Sequence, residues 1–275
     1  MAITAQDVKR LRETTGVGMM DCKKALTETG GDFDAAIELL RKQGQKVAAK
    51  RADRDATEGA IVTAATADGA TAVIAEVNSE TDFVARNDEF VAFAQSVADA
   101  LLEARPADLD AAQGMAVGGQ PLADALTQMT GKIGEKIDLR RFEILEADGG
   151  RVVDYIHPGA KLGVLVQMTG DGDLEEAGRD VAMQAAAMNP VAATREDVPQ
   201  DVQEKEREIG REQARAEGKP EQILDKIAEG KLTRFFKDNV LVEQPFVKDS
   251  SMTVQKMLDA KGAGLRRFVR FALGG

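Results

Sequence analysis

The sequence predicts an α+β fold, in which a three-helix module is followed by two related α+β subdomains with small antiparallel sheets. Residues 1–55 contain three amphipathic segments of helical length that glycines separate. An order of strand, turn, strand and helix then occurs twice, in residues 56–146 and in residues 147–275. At about 191–230, two charged helical arms interrupt the second copy and predict an inserted antiparallel helical hairpin of coiled-coil type.

The amino-terminal 55 residues predict a compact module and a linker. Thr4 and Asp32 can cap the first and third helices, and Gly16-Val17-Gly18 breaks the chain between the first two. Three short helices with a Gly-x-Gly-Met-Met turn resemble a ubiquitin-associated domain. Lys46–Glu58 is charged and rich in alanine, which predicts a solvated linker with some helical character.

Met19 and Met20 open the predicted second helix. Adjacent helical positions point about a quarter-turn apart, so at least one of these side chains should lie off the module's own core. The other is expected to fill a gap in that core, although methionine is also common on binding surfaces. Cys22 is predicted as a small buried residue and not as a reactive thiol.

The sequence of the first subdomain predicts both strands and helices. Asp68-Gly69 is a strong hairpin signal between its first two strands, and residues 106–120 are predicted as a loop. The predicted elements are strands at Ala60–Thr66, Ala70–Val77 and Asp138–Glu146, and helices after Ser79 and over Pro121–Glu135.

The stretch Ser79–Phe93 opens the first of these helices. Ser79 and Asp82 fit a capping box, in which the two side chains satisfy free N–H groups of the first turn. Phe83 lies one heptad before Phe90. Helical spacing alone therefore favours Phe83 as a further core ring over an exposed wedge.

The second subdomain repeats this plan. Its predicted elements are strands at Val152–His157, Leu162–Thr169 and Leu265–Ala272, a helix that buries Leu174, Ala177, Val181, Ala185 and Met188, and a short helix at Met252–Asp259. His157 precedes Pro158-Gly159 at a hairpin turn, and the residues alone favour an ordinary surface position for it.

The hairpin insertion has one narrow apolar stripe on each arm. The stripe residues are Val202, Ile209 and Ala216 on the first arm and Ile223, Leu224 and Ile227 on the second. A stripe of this width suits packing of one arm on the other or contact with a second protein, and a merely solvated hairpin is an equal alternative.

Composition and charge exclude several classes of protein. The 275 residues are 43% hydrophobic with a net charge of −11, which predicts a folded chain and argues against a general nucleic-acid binder. No apolar run reaches the ~20 residues of a membrane helix, and charges interrupt any signal-peptide core near the start. A single cysteine leaves no intrachain disulfide framework, which predicts a cytoplasmic protein.

The sequence offers few means of catalysis or cofactor binding. Cys22 and His157 are the only cysteine and histidine, so they form no metal cluster and could pair as nucleophile and base only across predicted domains. No phosphate-binding G-x-x-x-x-G-K-[ST] loop is present. A protein-binding function without metal or cofactor is therefore favoured, although spacing leaves a carboxylate-based enzyme open.

Several motifs, in order along the chain, resemble those of the elongation factor Ts family. They are Thr81-Asp82-Phe83-Val84-Ala85-Arg86-Asn87, Lys132–Glu135 (KIGE), Gly163–Val166 (GVLV) and Gln244–Val247 (QPFV). The helical module also resembles the amino-terminal domain of that family. The resemblance covers nearly the whole chain. It implies a non-enzymatic exchange factor that binds GDP-bound and nucleotide-free elongation factor Tu and promotes GDP release.

The resemblance also implies which residues meet the partner. Asp82 and Phe83 would enter the partner's GTPase domain near its magnesium ion, and His157 would approach the phosphate-binding loop. The implied contacts are Arg12, Met19, Met20, Thr81, Asp82, Phe83, Val84, Ile133, Gly134 and His157. No cofactor, nucleic acid or membrane is implied, and a homodimer or a two-plus-two complex is left open. The alternative function is an adaptor that binds ubiquitin-like or peptide partners through the module.

Overall fold

A computed structural model describes residues 3–274 of the chain, which form α-helices and small sheets. They divide into two compact units. The first contains the described residues up to Val62, then Ala75–Phe142 and the last described residues, and the second contains Thr63–Ile74 and Glu143–Ala272. The α+β prediction is confirmed. The domain bounds given above remain predictions.

The three predicted helices of the module are present in the first unit. They are α1 (Ala5–Thr15), α2 (Met19–Glu28) and α3 (Phe33–Arg51). Thr4 and Asp32 cap α1 and α3 as predicted, and Gly16 ends α1 in the left-handed conformation, with φ of 66°. The core of the module consists of Val8, Leu11, Cys22, Ala25, Leu26, Ala36 and Leu40.

The third helix is longer than predicted. The linker predicted from Lys46 is helical up to Arg51, which confirms its expected helical character. The helix continues because residues 46–51 contain good helix formers without glycine or proline and because α3 packs against α7 (Leu122–Ile133). Gly131 of α7 lies directly against Gly44 of α3.

The first sheet has the strand order β1-β2-β5. Its strands are β1 (Glu58–Ala65), β2 (Thr71–Ser79) and β5 (Asp138–Glu146). Every residue of β2 is buried. Gly69, with φ of 70°, makes the predicted turn before β2. The loop predicted at residues 106–120 instead contains a short helix and a two-stranded hairpin, formed by α6 (Leu109–Ala112), β3 (Ala116–Val117) and β4 (Gln120–Pro121).

The second unit contains an antiparallel sheet with the order β10-β7-β6. Its strands are β6 (Arg151–Ile156), β7 (Leu162–Gly170) and β10 (Ala263–Ala272), and α8 (Leu174–Met188) packs against them. Its remaining short elements are β8 (Pro245–Phe246), β9 (Asp249–Thr253) and α11 (Val254–Ala260).

Met188 is not part of the core, contrary to the prediction. Its side chain is 45% exposed, because α8 ends at this residue and Asn189 turns the chain away in the left-handed conformation, with φ of 46°. Within residues 3–274, no helix has the length and apolarity needed to cross a membrane.

The insertion forms a helical hairpin from α9 (Gln200–Ala216) and α10 (Leu224–Asn239), which pack on each other. The predicted stripe is partly wrong, because Ala216 and Ile223 are exposed. The arms meet at Gly210, whose missing side chain lets α9 lie directly against Ala228. Ion pairs between the arms join Arg207 to Glu229 at 2.6 Å and Arg211 to Asp225 at 2.7 Å, and Arg215 pairs with Glu221 of the connecting turn at 2.9 Å.

Candidate partner-binding site

Phe83 is the most exposed of the large hydrophobic residues described, with 85% of its surface accessible. It lies on α4 (Asp82–Ala85), whereas Phe90 is buried on α5 (Asp88–Ala104). The chain breaks between these helices at Arg86 and Asn87, and Asn87 caps α5. Heptad spacing requires one continuous helix, so the interpretation of Phe83 as a core ring is wrong.

The cap of α4 also differs from the prediction. Ser79 is buried as the last residue of β2, and its hydroxyl donates to the carbonyl oxygen of Thr81 at 3.0 Å. The cap is Thr81, whose hydroxyl oxygen accepts from the Val84 N–H at 3.4 Å. Asp82 forms an ion pair with Arg86 at 2.8 Å. The predicted capping box at Ser79 is therefore wrong, because the strand continues to that residue.

The segment that follows α7 holds the turn before α4. The Glu135 carboxylate accepts two hydrogen bonds from Thr81, one from its backbone N–H at 3.0 Å and one from its hydroxyl at 2.7 Å. In return, the Glu80 carboxylate accepts from the Lys136 backbone N–H at 2.7 Å. Glu80 also pairs with Arg51 of α3 at 2.7 Å. We call Glu80–Val84 the aromatic corner, because it carries Phe83.

The end of α7 directs Glu135 towards this corner. Gly134 ends the helix in the left-handed conformation, with φ of 84°, and its N–H donates to the carbonyl oxygen of Thr130 at 2.8 Å. The buried Thr130 hydroxyl then accepts from the Ile137 N–H at 3.0 Å. Ile133 and Gly134 are half-buried. The order of residues in the KIGE motif is therefore explained by the fold alone, because Gly134 ends α7 and directs Glu135 towards the corner whether or not a partner is bound.

Two charged groups near this segment have shifted pKa values. Burial lowers the pKa of the Lys132 ammonium, which forms an ion pair with Glu89. Burial also raises the pKa of the Asp138 carboxyl at the start of β5, against a smaller opposing effect of Lys136.

The methionine pair lies on the surface of the module. Met19 is 51% exposed and Met20 is 74% exposed, both in the first turn of α2. The prediction that at least one lies off the core is confirmed, whereas the expectation that the other fills a core gap is wrong. Cys22, the first buried residue of α2, fills that position instead. Arg12 of α1 is also exposed.

His157 lies in the second unit, at the tip of the β6–β7 hairpin. Its backbone N–H donates to the Leu162 carbonyl oxygen at 2.9 Å, and its own carbonyl oxygen accepts from Ala160 at 3.0 Å. Nδ1 of the ring lies 3.1 Å from the Tyr155 hydroxyl. The side chain is exposed, which fits both a plain turn residue and a partner contact.

The structure thus connects some of the predicted contact residues. Hydrogen bonds connect Thr81 of the aromatic corner to Glu135, which directly follows Ile133 and Gly134. Arg12, Met19 and Met20 lie on the module within the same unit, and His157 belongs to the other unit. Among residues 3–274, no group of three or more His, Cys, Asp or Glu side chains is arranged to hold a metal ion. Exposed apolar side chains on fixed backbone suit protein binding.

Sequence reasoning missed the three side chains that hold the corner, which are Glu80, Glu135 and Arg51. Their partners are 56, 54 and 29 residues away along the chain, so no local spacing connects them. The only signal in the sequence for these contacts is an acidic residue directly before Thr81 and another directly after Gly134. Both lie next to helices and strands that the sequence does predict.

Comparison with known proteins gives one and the same family for the model match and for the similar proteins. A family model described as "Elongation factor TS" matches residues 80–275. Three similar proteins bear the name "Elongation factor Ts". That of Prosthecochloris aestuarii is 48% identical over 99% of both chains. That of Alkalilimnicola ehrlichii is 49% identical over 100% of this chain and 93% of its own. That of Flavobacterium psychrophilum is 50% identical over 99% of both chains.

Proposed function

Because this chain belongs to the elongation factor Ts family, we propose that it binds elongation factor Tu and promotes the release of GDP during translation elongation. The proposal covers the GDP-bound and nucleotide-free forms of the partner, in the cytoplasm, and no chemical step by this chain. The observation that carries it is the aromatic corner, which presents an 85% exposed phenylalanine beside a carboxylate on fixed backbone.

We infer that Phe83 and Asp82 act on the partner's magnesium and phosphate site. A buried aromatic anchor supplies about 2 kcal/mol or more at an interface hot spot, which is a factor of about 30 in affinity. An aromatic ring inserted beside the metal would displace its ligands and weaken the hold on the diphosphate. Exposed His157, in the second unit, would approach the partner's phosphate-binding loop. Thr81 and Val84 would flank the ring.

Linkage connects this binding to nucleotide release. A protein that favours the nucleotide-free form of its partner must weaken nucleotide binding by the same coupling free energy with which nucleotide weakens its own binding. The methionine pair and Arg12 would supply affinity that does not depend on the nucleotide, because they contact the partner away from its phosphates. Ile133 and Gly134 would add a further contact beside the corner.

The test is release of a fluorescent GDP analogue from elongation factor Tu at fixed magnesium concentration. The chain should accelerate release at substoichiometric amounts, and Phe83→Ala should reduce the acceleration about 30-fold. Because the ring is exposed, the variant should unfold at the same temperature as the unchanged chain. Leu109→Ala, at another exposed apolar residue of the same unit, is the matched control.

The part played by magnesium is tested with a chelator. Removing the metal should accelerate spontaneous release and reduce the difference between the unchanged chain and Phe83→Ala. A difference of the same size with and without magnesium would contradict the proposed action on the metal. Normal exchange by Phe83→Ala would contradict the role of the ring, and failure of the unchanged chain to accelerate release would contradict the function.

A further inference from the structure

We propose that Glu135 and Glu80 are positioning residues, which hold the aromatic corner so that Phe83 is presented in one fixed direction. This inference rests on the proposed function and adds to that site two carboxylates that need not touch the partner. It is carried by the hydrogen bonds between two chain segments, Glu80-Thr81 and Glu135-Lys136.

Glu135 acts on the start of the helix that carries Phe83. It accepts both polar donors of Thr81, at 3.0 Å and 2.7 Å, and Thr81 is the cap of α4. A helix of four residues has too few internal hydrogen bonds to persist without outside support. The direction of α4, and with it the direction of Phe83, is therefore set by the attachment of Thr81.

Glu80 makes the reverse connection. Its carboxylate accepts from the Lys136 backbone N–H at 2.7 Å and pairs with Arg51 at 2.7 Å. Each of the two segments thus provides a carboxylate to a backbone N–H of the other, and Arg51, the last residue of α3, pairs with Glu80. The Glu80 side chain is only 14% exposed, and a carboxylate so buried is costly unless it is paired.

Contacts of the ring itself cannot fix Phe83, because 85% of it is exposed. The backbone before it is anchored on one side by the fully buried β2. On the other side, the attachment to the end of α7 is polar and depends on the two carboxylates. Loss of Glu135 would leave Thr81 without two charge-assisted bonds and release α4 from this attachment.

The experiment combines kinetics with amide hydrogen exchange on the full chain. Glu135→Ala should slow the stimulated release of the fluorescent GDP analogue about ten-fold, since one hydrogen bond to a charged group contributes about a factor of ten or more. Amides of Val84–Asn87 should exchange faster in the same variant. Glu135→Gln keeps one acceptor oxygen for Thr81 and should therefore lose less exchange activity than Glu135→Ala. Glu221→Ala, which removes a carboxylate paired to Arg215 in the other unit, is the matched control.

A double variant separates positioning from a general loss of structure. If Glu135 acts through the ring, Glu135→Ala should cause no further loss of exchange activity in a chain that already carries Phe83→Ala. If Glu135→Ala instead reduces the fraction of folded chain, the double variant should lose activity by the product of the two single effects. Unchanged kinetics in Glu135→Ala, or additive losses in the double variant, would overturn the proposal. Failure of the unchanged chain to stimulate release would overturn the proposed function alone. The amide exchange of Glu135→Ala would then decide the positioning role, and exchange equal to that of the unchanged chain would refute it.

Discussion

The contact between α3 and α7 predicts opposite effects for two chemically identical substitutions. A Cβ placed on Gly131 would lie 3.0 Å from the carbonyl carbon and 3.1 Å from the carbonyl oxygen of Gly44, and closer still to its Cα. A Cβ placed on Gly44 would lie 3.6 Å from the Cα of Gly131, which is ordinary van der Waals contact. Gly131→Ala should therefore push the helices apart, whereas Gly44→Ala should fit.

The expected magnitudes follow from two opposing contributions. Alanine stabilises a helix interior over glycine by about 1 kcal/mol, and this gain applies to both positions. At Gly131 it is offset by overpacking against backbone that cannot rotate away, which costs about 1–3 kcal/mol. The net result is a gain of about 1 kcal/mol for Gly44→Ala and a loss of about 1 kcal/mol for Gly131→Ala. The variants should differ in melting temperature by about 4–8 °C, at about 2–4 °C per kcal/mol.

Scanning calorimetry of the two variants beside the unchanged chain measures this difference directly. Circular dichroism well below the melting temperature confirms that each variant is folded. Equal melting temperatures for Gly131→Ala and Gly44→Ala, or a higher one for Gly131→Ala, would refute the argument from close backbone approach. That result would mean that the helices adjust their separation at little cost.

Three further predictions concern other parts of the molecule. Gly210→Ala should destabilise the hairpin, because its Cβ would lie 3.0 Å from the Cα of Ala228. Gly230→Ala should stabilise the hairpin by about 1 kcal/mol, because its Cβ would meet nothing within 4 Å. Thermal unfolding of the two variants checks both. Burial raises the pKa of Asp138, so the folded chain binds that proton more tightly than the unfolded chain, and the ionised carboxylate lowers stability at pH 7. Asp138→Asn should therefore raise the melting temperature at pH 7, and calorimetry should find that the gain disappears as the pH falls below about 4. Met20→Gln should leave the melting temperature unchanged but raise the concentration of the chain needed for half-maximal GDP release, and an unchanged titration would contradict a role for the methionine pair.

Local patterns predicted the long regular elements well. α5 buries Phe90, Val97 and Leu101 at the helical spacing seen in the sequence, and the Asp68-Gly69 signal places the turn between β1 and β2. These features depend on neighbours within one or two turns, which the sequence presents directly. Thr4 and Asp32 were found as caps for the same reason.

The site was predicted less well, because its geometry depends on distant residues and on one break in a helix. The spacing from Phe83 to Phe90 assumes one continuous helix. The Asn87 side chain interrupts it, because it accepts the Glu89 N–H at 2.8 Å and starts a new helix. The attachment of Thr81 to Glu135 spans 54 residues. The resemblance of the motifs indicated Phe83 as a partner contact, but it gave no reason for the acidic residues Glu80 and Glu135.

The exposure of Phe83 has an energetic cost that the proposed partner would recover on binding. A buried phenylalanine stabilises a fold by about 1.5–3 kcal/mol, and this chain leaves nearly all of that ring in water. If Glu80 and Glu135 position the corner as proposed, its polar attachment would keep the ring from folding back onto the surface and would reduce the conformational entropy that binding must remove. By linkage, whatever increases affinity for the nucleotide-free partner alone increases the weakening of nucleotide binding equally. If the two carboxylates position the corner as proposed, the rigidity that Glu80 and Glu135 supply would therefore contribute to the coupling itself, whether or not either carboxylate touches the partner.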